Sequence, residues 1–312
     1  MNKFKVLVAA RSFGKSDDSA QKLLAKHQCE VVKIGADELA KELPDADAVI
    51  AGLEEYPAEL LNHAKHLKVI SRYGVGYDKV DLVAANKQNI QVTITPGANG
   101  DSVADLAIAL MLDVGRNIAV MDRMMKEENQ IRPQGVELWQ KTLGIIGAGR
   151  IGQGVAKRCR GFDMKILCFD TYQDEQFKEE CNASYVSFEE LIRESDFISI
   201  HAPLTTETEN MFHAEIFRQM KNQAIIVNTA RGGIIDEQAL YEALKQGEIR
   251  GAGLDATLKE PPYGSPLLHL DNCIITPHAG AATVEASSKM SYLAAQNVID
   301  ILEKGQCQYT VK

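Results

Sequence analysis

Thr142-Leu143-Gly144-Ile145-Ile146-Gly147-Ala148-Gly149-Arg150-Ile151-Gly152 is an apolar run that stops at a glycine turn and passes straight into a helical pattern reaching Cys159. Each glycine has a separate task in such a strand–turn–helix unit. Gly147 allows the tight turn, Gly149 lets a pyrophosphate approach the backbone, and Gly152 permits close helix–strand packing. The start of the helix offers unpaired N–H groups and a positive dipole end to phosphates. A lone G-x-G-x-x-G is a weak signal, but here an acid stands in register. Asp170 directly follows the apolar run Lys165–Phe169, at the spacing where a carboxylate accepts hydrogen bonds from an adenosine ribose. A 2′-phosphate would be repelled there, and Thr171-Tyr172-Gln173-Asp174 offers no arginine to receive one. The stretch reads as a site for NAD rather than NADP; the plainer alternative is a capping aspartate at a strand end.

Outward from this unit, short β-rich runs alternate with helical patterns, the mark of βαβ units around a parallel sheet. Strands are expected at Phe4–Ala9, Val31–Gly35, Ala48–Ala51, Val69–Arg72 and Gln91–Thr95, with helices near 18–27, 36–42, 57–65 and 79–87. After Thr95-Pro96-Gly97 a long helix is expected, with Asp101 or Ser102 as N-cap, running past Arg116. A second series follows at Thr142–Gly147, Lys165–Phe169, Phe197–His201, Ala224–Asn228, Gly251–Leu254 and Cys273–Thr276, then a last helix over 282–304. With 312 residues the chain exceeds what one core usually organises. The restart predicts two doubly wound α/β parallel-sheet domains. One covers residues 1–99 plus 286–312; the other covers residues 100–285.

Composition narrows the function classes. A formal charge of −9 leaves no basic surplus for nucleic acid or an anionic membrane. The six cysteines show no C-x-x-C pair and no metal-finger spacing, so reduced thiols and no metal are expected. The first residues move straight into an apolar strand with no signal-peptide pattern, and no apolar run reaches membrane-spanning length. A cytoplasmic protein is the expectation.

Three more strand ends carry chemistry, because ligands of open parallel sheets bind outside the carboxyl ends of the strands. Arg231, in Asn228-Thr229-Ala230-Arg231-Gly232-Gly233, suits a bidentate grip on a 2-oxo carboxylate, or is simply a surface arginine at a glycine turn. His278, in Thr276-Pro277-His278-Ala279-Gly280, can exchange a proton with a substrate hydroxyl, although a lone histidine is more often structural. Glu260, in Lys259-Glu260-Pro261-Pro262, sits in a loop kept from helix by its prolines and could orient that imidazole. Tyr73-Gly74-Val75-Gly76-Tyr77 could form an amide nest for a carboxylate.

Taken together, the sequence resembles the D-isomer-specific 2-hydroxyacid dehydrogenase family, in its D-3-phosphoglycerate-dehydrogenase-like branch. The likeness runs over nearly the whole chain and is strongest from 69 to 285. It rests on Ser71–Asp78, Thr95–Asn99, Lys141–Gly152, His201-Ala202-Pro203-Leu204-Thr205, Asn228–Asp236, Gly253-Leu254-Asp255, Glu260-Pro261 and Thr276–Gly280. The resemblance implies a flavodoxin-like substrate domain in residues 1–99 plus 286–312 and a Rossmann NAD-binding domain in residues 100–285. It implies NAD as cofactor and a small 2-hydroxy or 2-oxo acid as substrate, 3-phosphoglycerate among the candidates. It implies a catalytic set of Arg231, Glu260 and His278: His278 moves the hydroxyl proton, Arg231 binds the carboxylate and polarises the carbonyl, and Glu260 supports His278. Cofactor contacts are implied at Gly147, Gly149, Arg150, Ile151, Gly152, Asp170, His201, Pro203, Thr208, Thr229, Ala230, Arg231, Asp255, His278 and Gly280. Of these, Asp255 is implied near the nicotinamide carboxamide. Substrate contacts are implied at Val75, Gly76, Asn99, Arg231 and His278. A homodimer is implied as well, packed through the helix after Asn99, where Ala104–Leu112 serves equally well as a core helix of one subunit.

Some positions depart from the family pattern. Asp105 stands where glutamate is common, and Ala256-Thr257 replaces a bulkier apolar pair. Where the phosphoglycerate branch often carries arginines, this chain reads Ala51-Gly52-Leu53-Glu54-Glu55-Tyr56. Two carboxylates there disfavour a phosphorylated substrate unless Arg72, Arg11 or Lys15 supplies the charge. The chain ends soon after its last helix, and no serine-sensing regulatory domain is expected. The competing reading is an NAD(H)-sensing, corepressor-like interaction protein on the same fold, which turnover of 2-oxo acids with NADH would distinguish.

Overall fold

The computed structural model describes residues 3–311. They form two compact units, one of residues 3–102 with 281–311 and one of residues 103–280. Each holds a wholly parallel sheet.

In the first unit the strands are β1 (Phe4–Val8), β2 (Cys29–Lys33), β3 (Ala48–Ala51), β4 (Val69–Arg72) and β5 (Gln91–Thr93), in the order β2-β1-β3-β4-β5. Every residue of β3 and β4 is buried, as expected of strands covered on both faces. Successive side chains point to opposite faces, so Val6, Val8, Ile50 and Val69 enter one core, and Leu7, Val49, Ile70 and Val92 enter another. The first of these cores is closed by Ala294, Ala295, Val298 and Ile301 of the helix Val284–Lys304. That helix begins where the Thr283 hydroxyl accepts the Ala286 N–H at 3.0 Å. The chain beyond it returns to the sheet, with Val311 N–H donating to Val92 O at 2.8 Å.

The second unit holds β6 (Thr142–Ile146), β7 (Lys165–Phe169), β8 (Ala183–Tyr185), β9 (Phe197–Ile200), β10 (Ile225–Asn228), β11 (Gly251–Leu254) and β12 (Cys273–Ile275). Their order is β12-β11-β10-β9-β6-β7-β8, so the winding reverses between β6 and β9. This is the doubly wound dinucleotide-binding arrangement extended by one strand, and its switch point lies where the glycine turn leaves β6. The helix Gly100–Arg116 lays Ala107, Leu110, Met111 and Val114 onto one face with Ile225 and Val227. Glycines make that close approach possible: a Cβ at Gly253 would lie 2.9 Å from Leu110 Cβ, and one at Gly251 2.5 Å from Val114 Cγ1.

Three sequence expectations need correction. Asp101 and Ser102 lie inside the helix that starts at Gly100, so neither is its N-cap. The second strand pairs as Cys29–Lys33, two residues earlier than the apolar pattern suggests, because Phe4 aligns with Cys29 in the β1 register. The short edge strand β8 lies outside the expected series; its three residues carry too little pattern to be read. Among the described residues no helix is long and apolar enough to cross a membrane, and no cluster of metal-ligating side chains is present.

Candidate active site

The glycine turn after β6 has the geometry its sequence requires. Gly147 sits at φ +89°, and a Cβ there would lie 2.7 Å from the backbone of His201 and Ala202 at the end of β9. Gly152 could not carry a side chain either, since its Cβ would fall 2.2 Å from Gly147 O. Around the Cβ position of Gly149, by contrast, there is open space. Arg150 and Ile151 form the first turn of the helix Arg150–Cys159, whose N-cap, Gly149, brings no side chain to cover the first amides. Open space above Gly149 and a helix start without a capping side chain are what a pyrophosphate needs. Asp170 completes the set. Its Oδ2 accepts the Ala148 N–H at 2.7 Å and its Oδ1 the Tyr172 N–H at 2.9 Å, so the carboxylate is fastened to the turn itself. An ionised carboxylate keeps further lone pairs for ribose hydroxyls. These residues fit an NAD molecule.

His201 follows β9, and its N–H donates to Ile146 O at 2.7 Å. Its Nε2 pairs with Ser199 Oγ at 2.8 Å, and its Nδ1 lies 3.4 Å from Thr229 Oγ1. Desolvation by burial pushes its pKa down to about 3, so the ring is neutral at physiological pH. The adjoining loop is stapled by Thr208, whose hydroxyl donates to Pro203 O at 2.6 Å and accepts the Thr205 N–H at 2.8 Å.

At the end of β10, Asn228 is fully buried and organises the turn that carries Arg231. Its Oδ1 accepts the Ala230 N–H at 2.9 Å, and its Nδ2 donates to Arg231 O at 2.7 Å. Arg231 Nη1 in turn donates to Ala230 O at 2.7 Å. The next residue, Gly232, lies on the backbone of Thr257 and Leu258, where a Cβ would come within 2.1 Å. The Arg231 turn therefore packs directly against the loop that leads to Glu260.

His278 occupies the left-handed region at φ +54°, unusual for a residue with a side chain. Asp255, buried at the end of β11, holds that turn. Its Oδ1 accepts the Thr276 hydroxyl at 2.6 Å and the Ala279 N–H at 2.6 Å, while its Oδ2 accepts the Gly280 N–H at 2.8 Å. His278 Nδ1 then lies 2.8 Å from Glu260 Oε1, with both side chains about one quarter exposed. An ionised carboxylate can only accept, so Nδ1 is the donor and Nε2 is left to exchange a proton.

The remaining substrate candidates belong to the first unit. Arg72, almost fully buried at the end of β4, donates through Nε to Gly76 O at 2.8 Å and through Nη1 to Gly52 O. Gly74 O accepts both the Thr95 N–H at 2.9 Å and the Thr95 hydroxyl at 3.2 Å. Val75, Gly76 and Asn99 are half-buried on the loops so fixed. Glu54 folds back to accept the Gly52 N–H at 2.8 Å. Asp105 pairs with Arg158 Nε at 2.6 Å.

Thus Glu260 and His278 are brought into contact, while the sequence reading misses Asn228 and Thr276 as residues holding the two turns. A signal existed: Asn228 and Asp255 each stand at the end of a fully buried strand, and a polar side chain there must be satisfied by its own turn.

The family model described as "D-isomer specific 2-hydroxyacid dehydrogenase, NAD binding domain" matches residues 108–280. A glyoxylate reductase of Korarchaeum cryptofilum is 42% identical over 269 residues, spanning 84% of this chain and 81% of that one. A D-3-phosphoglycerate dehydrogenase of Methanocaldococcus jannaschii is 44% identical over 270 residues, covering 85% of this chain but 52% of that longer one. The crystal structure of the TT0316 protein of Thermus thermophilus superposes with a TM-score of 0.89 at 38% identity, covering 99% of this chain and 100% of that one.

Proposed function

Because this chain belongs to the D-isomer specific 2-hydroxyacid dehydrogenase family and is an NAD-dependent oxidoreductase of 2-hydroxy acids, we propose that it interconverts a small, unphosphorylated 2-oxo acid and its D-2-hydroxy acid, with glyoxylate and hydroxypyruvate as the leading substrates. The observation that carries this reading is the His278–Glu260 pair at 2.8 Å, in the same compact unit as Arg231 and the glycine turn. NAD, when bound, supplies the hydride acceptor, and its reduced form the hydride donor. In oxidation His278 Nε2 takes the proton of the C2 hydroxyl; in reduction it returns a proton to the carbonyl oxygen. Glu260 accepts from Nδ1–H throughout, which keeps the tautomer and stabilises the imidazolium. Arg231 holds the carboxylate and polarises the C2 carbonyl. Val75, Gly76 and Asn99 are assigned to the substrate. Gly147, Gly149, Arg150, Ile151, Gly152, Asp170, His201, Pro203, Thr208, Thr229, Ala230, Asp255 and Gly280 are assigned to NAD. The first unit is then the substrate domain and the second the NAD domain.

The choice against a phosphorylated substrate rests on three charged side chains. Arg72 already donates to two carbonyl oxygens, and Glu54 and Glu55 follow the end of β3 in sequence. A phosphate would meet two carboxylates there. We assign the protein to the cytoplasm, supported by six unpaired cysteines, five of them buried. We also assign it a homodimeric state. The helix Ile118–Lys126 buries none of its residues, and Ile118 and Met125 are more than half exposed. The sensor reading is not favoured, given relatives named as reductases and dehydrogenases.

The test is NADH oxidation with glyoxylate, hydroxypyruvate, pyruvate and phosphohydroxypyruvate. The expected order places glyoxylate and hydroxypyruvate first in kcat/KM. A preference for phosphohydroxypyruvate overturns the substrate assignment, and no turnover with any of them restores the sensor.

A further inference from the structure

We propose that Asn228 is a positioning residue that sets the place of Arg231 and registers it to the turn of His278. The residue does not need to touch substrate to do so. Its amide is read at both ends: Oδ1 accepts the Ala230 N–H at 2.9 Å and Nδ2 donates to Arg231 O at 2.7 Å. Exchanging the two ends would set N–H against N–H and oxygen against oxygen, so a single orientation of the amide satisfies the turn. The group is completely buried, where water cannot substitute for either bond. Arg231 also donates from Nη1 to Ala230 O, which ties its side chain to the segment that Asn228 holds.

The same residue reaches the other half of the chemistry through its backbone. Asn228 O accepts the Asp255 N–H at 2.9 Å, and the Asp255 carboxylate holds Thr276, Ala279 and Gly280 on either side of His278. A continuous hydrogen-bonded path therefore joins the Arg231 turn to the His278 turn, and Asn228 is its junction. A carboxylate in place of the amide would keep the bond from Ala230 N–H and set an oxygen against Arg231 O, pushing the arginine backbone away.

The inference rests on the reading of Arg231 as the carboxylate-binding residue, and the experiment separates the two. Asn228→Asp, Arg231→Gln and the double variant are compared for glyoxylate kcat/KM and for oxamate affinity with NADH present. NADH affinity is measured alone by fluorescence. Asn228→Asp is expected to weaken oxamate by up to about 10²-fold, the usual effect of misplacing a group by an ångström. NADH affinity should stay within about twofold, and no further loss should appear in the Arg231→Gln background, because coupled residues are not additive. An equal loss in both backgrounds, or an equal loss of NADH affinity, overturns the positioning role alone. Unchanged oxamate binding in Arg231→Gln overturns the reading of Arg231, and with it this inference. Asn228→Ser, read against the same two comparisons, serves where the aspartate variant does not fold.

Discussion

The carboxylate of Asp255 accepts the backbone N–H of Ala279 at 2.6 Å, and this bond, with those from Thr276 and Gly280, keeps His278 in its left-handed conformation. A left-handed residue with a side chain costs on the order of 1–3 kcal/mol, so something must over-determine it. Asp255→Asn replaces an acceptor of three donors with a group that must turn an N–H toward one of them. Turnover should fall by about 10²-fold as the His278 turn shifts. Stability should fall by about 1–3 kcal/mol for the buried unsatisfied donor. Urea unfolding and steady-state kinetics on one preparation check both, and normal kinetics would show that the turn holds without the carboxylate.

His278→Ala removes the proton-exchanging ring while leaving the glycine turn untouched. Turnover should drop by about 10²–10⁴-fold. NADH binding followed by fluorescence should be nearly unchanged. Glu260→Gln keeps a hydrogen-bonding group 2.8 Å from Nδ1 but removes the charge. It should reduce kcat by less than His278→Ala does. A glutamine variant as impaired as the alanine variant would contradict a supporting role for Glu260.

Two glycines of one turn should respond differently to alanine. At Gly152 the new methyl meets Gly147 O at 2.2 Å, a backbone atom that cannot step aside. Gly152→Ala should cost about 1–3 kcal/mol of stability. Gly149→Ala meets nothing within 4 Å, so the fold should keep its stability while the NAD dissociation constant rises. Thermal melts with and without NAD distinguish the pair. An unchanged NAD affinity in Gly149→Ala would mean that no pyrophosphate lies over that backbone.

Asp170→Ala removes the acceptor for Ala148 N–H as well as the proposed ribose contact. Losing a hydrogen bond to a charged group is worth about 1.5–3 kcal/mol, so the KM for NAD should rise by about tenfold or more. The bias against NADP should relax. If the NAD to NADP ratio of kcat/KM does not move, Asp170 serves the turn and does not read the ribose.

His201 provides a pH signature. Its pKa falls from 6.5 to about 3 in the folded protein, so the unfolded chain binds the proton first as pH decreases. Stability linked to this ring is therefore fully present above the unfolded value and is lost as pH falls from about 6.5 toward 3. His201→Asn keeps a polar group without the titration and should flatten this part of the stability–pH curve. Parallel urea midpoints for the two proteins between about pH 7 and 4, within the window set by that linkage, measure it. Coincident slopes would remove His201 from the acid response.

The amino-acid sequence by itself determined both sheets apart from the edge strand β8, their parallel sense and the glycine turn, because those depend on local period and on which residues tolerate a tight turn. Ile145-Ile146-Gly147 ends a strand and starts a turn in any context that buries it. The same local reading singled out His278, Arg231 and Glu260 as candidates, each with a bland alternative that, residue by residue, was the commoner case. Only tertiary structure decided that Glu260 reaches His278, since the two lie on separate loops and meet because Asp255 fixes one turn while Gly232 packs its own turn against the backbone leading to the other. It also decided that Asn228 and Asp255 each hold a turn from a buried position. Hydrogen bonds that join distant segments leave no periodicity along the chain, and burial, which makes them obligatory, is a property of the folded whole.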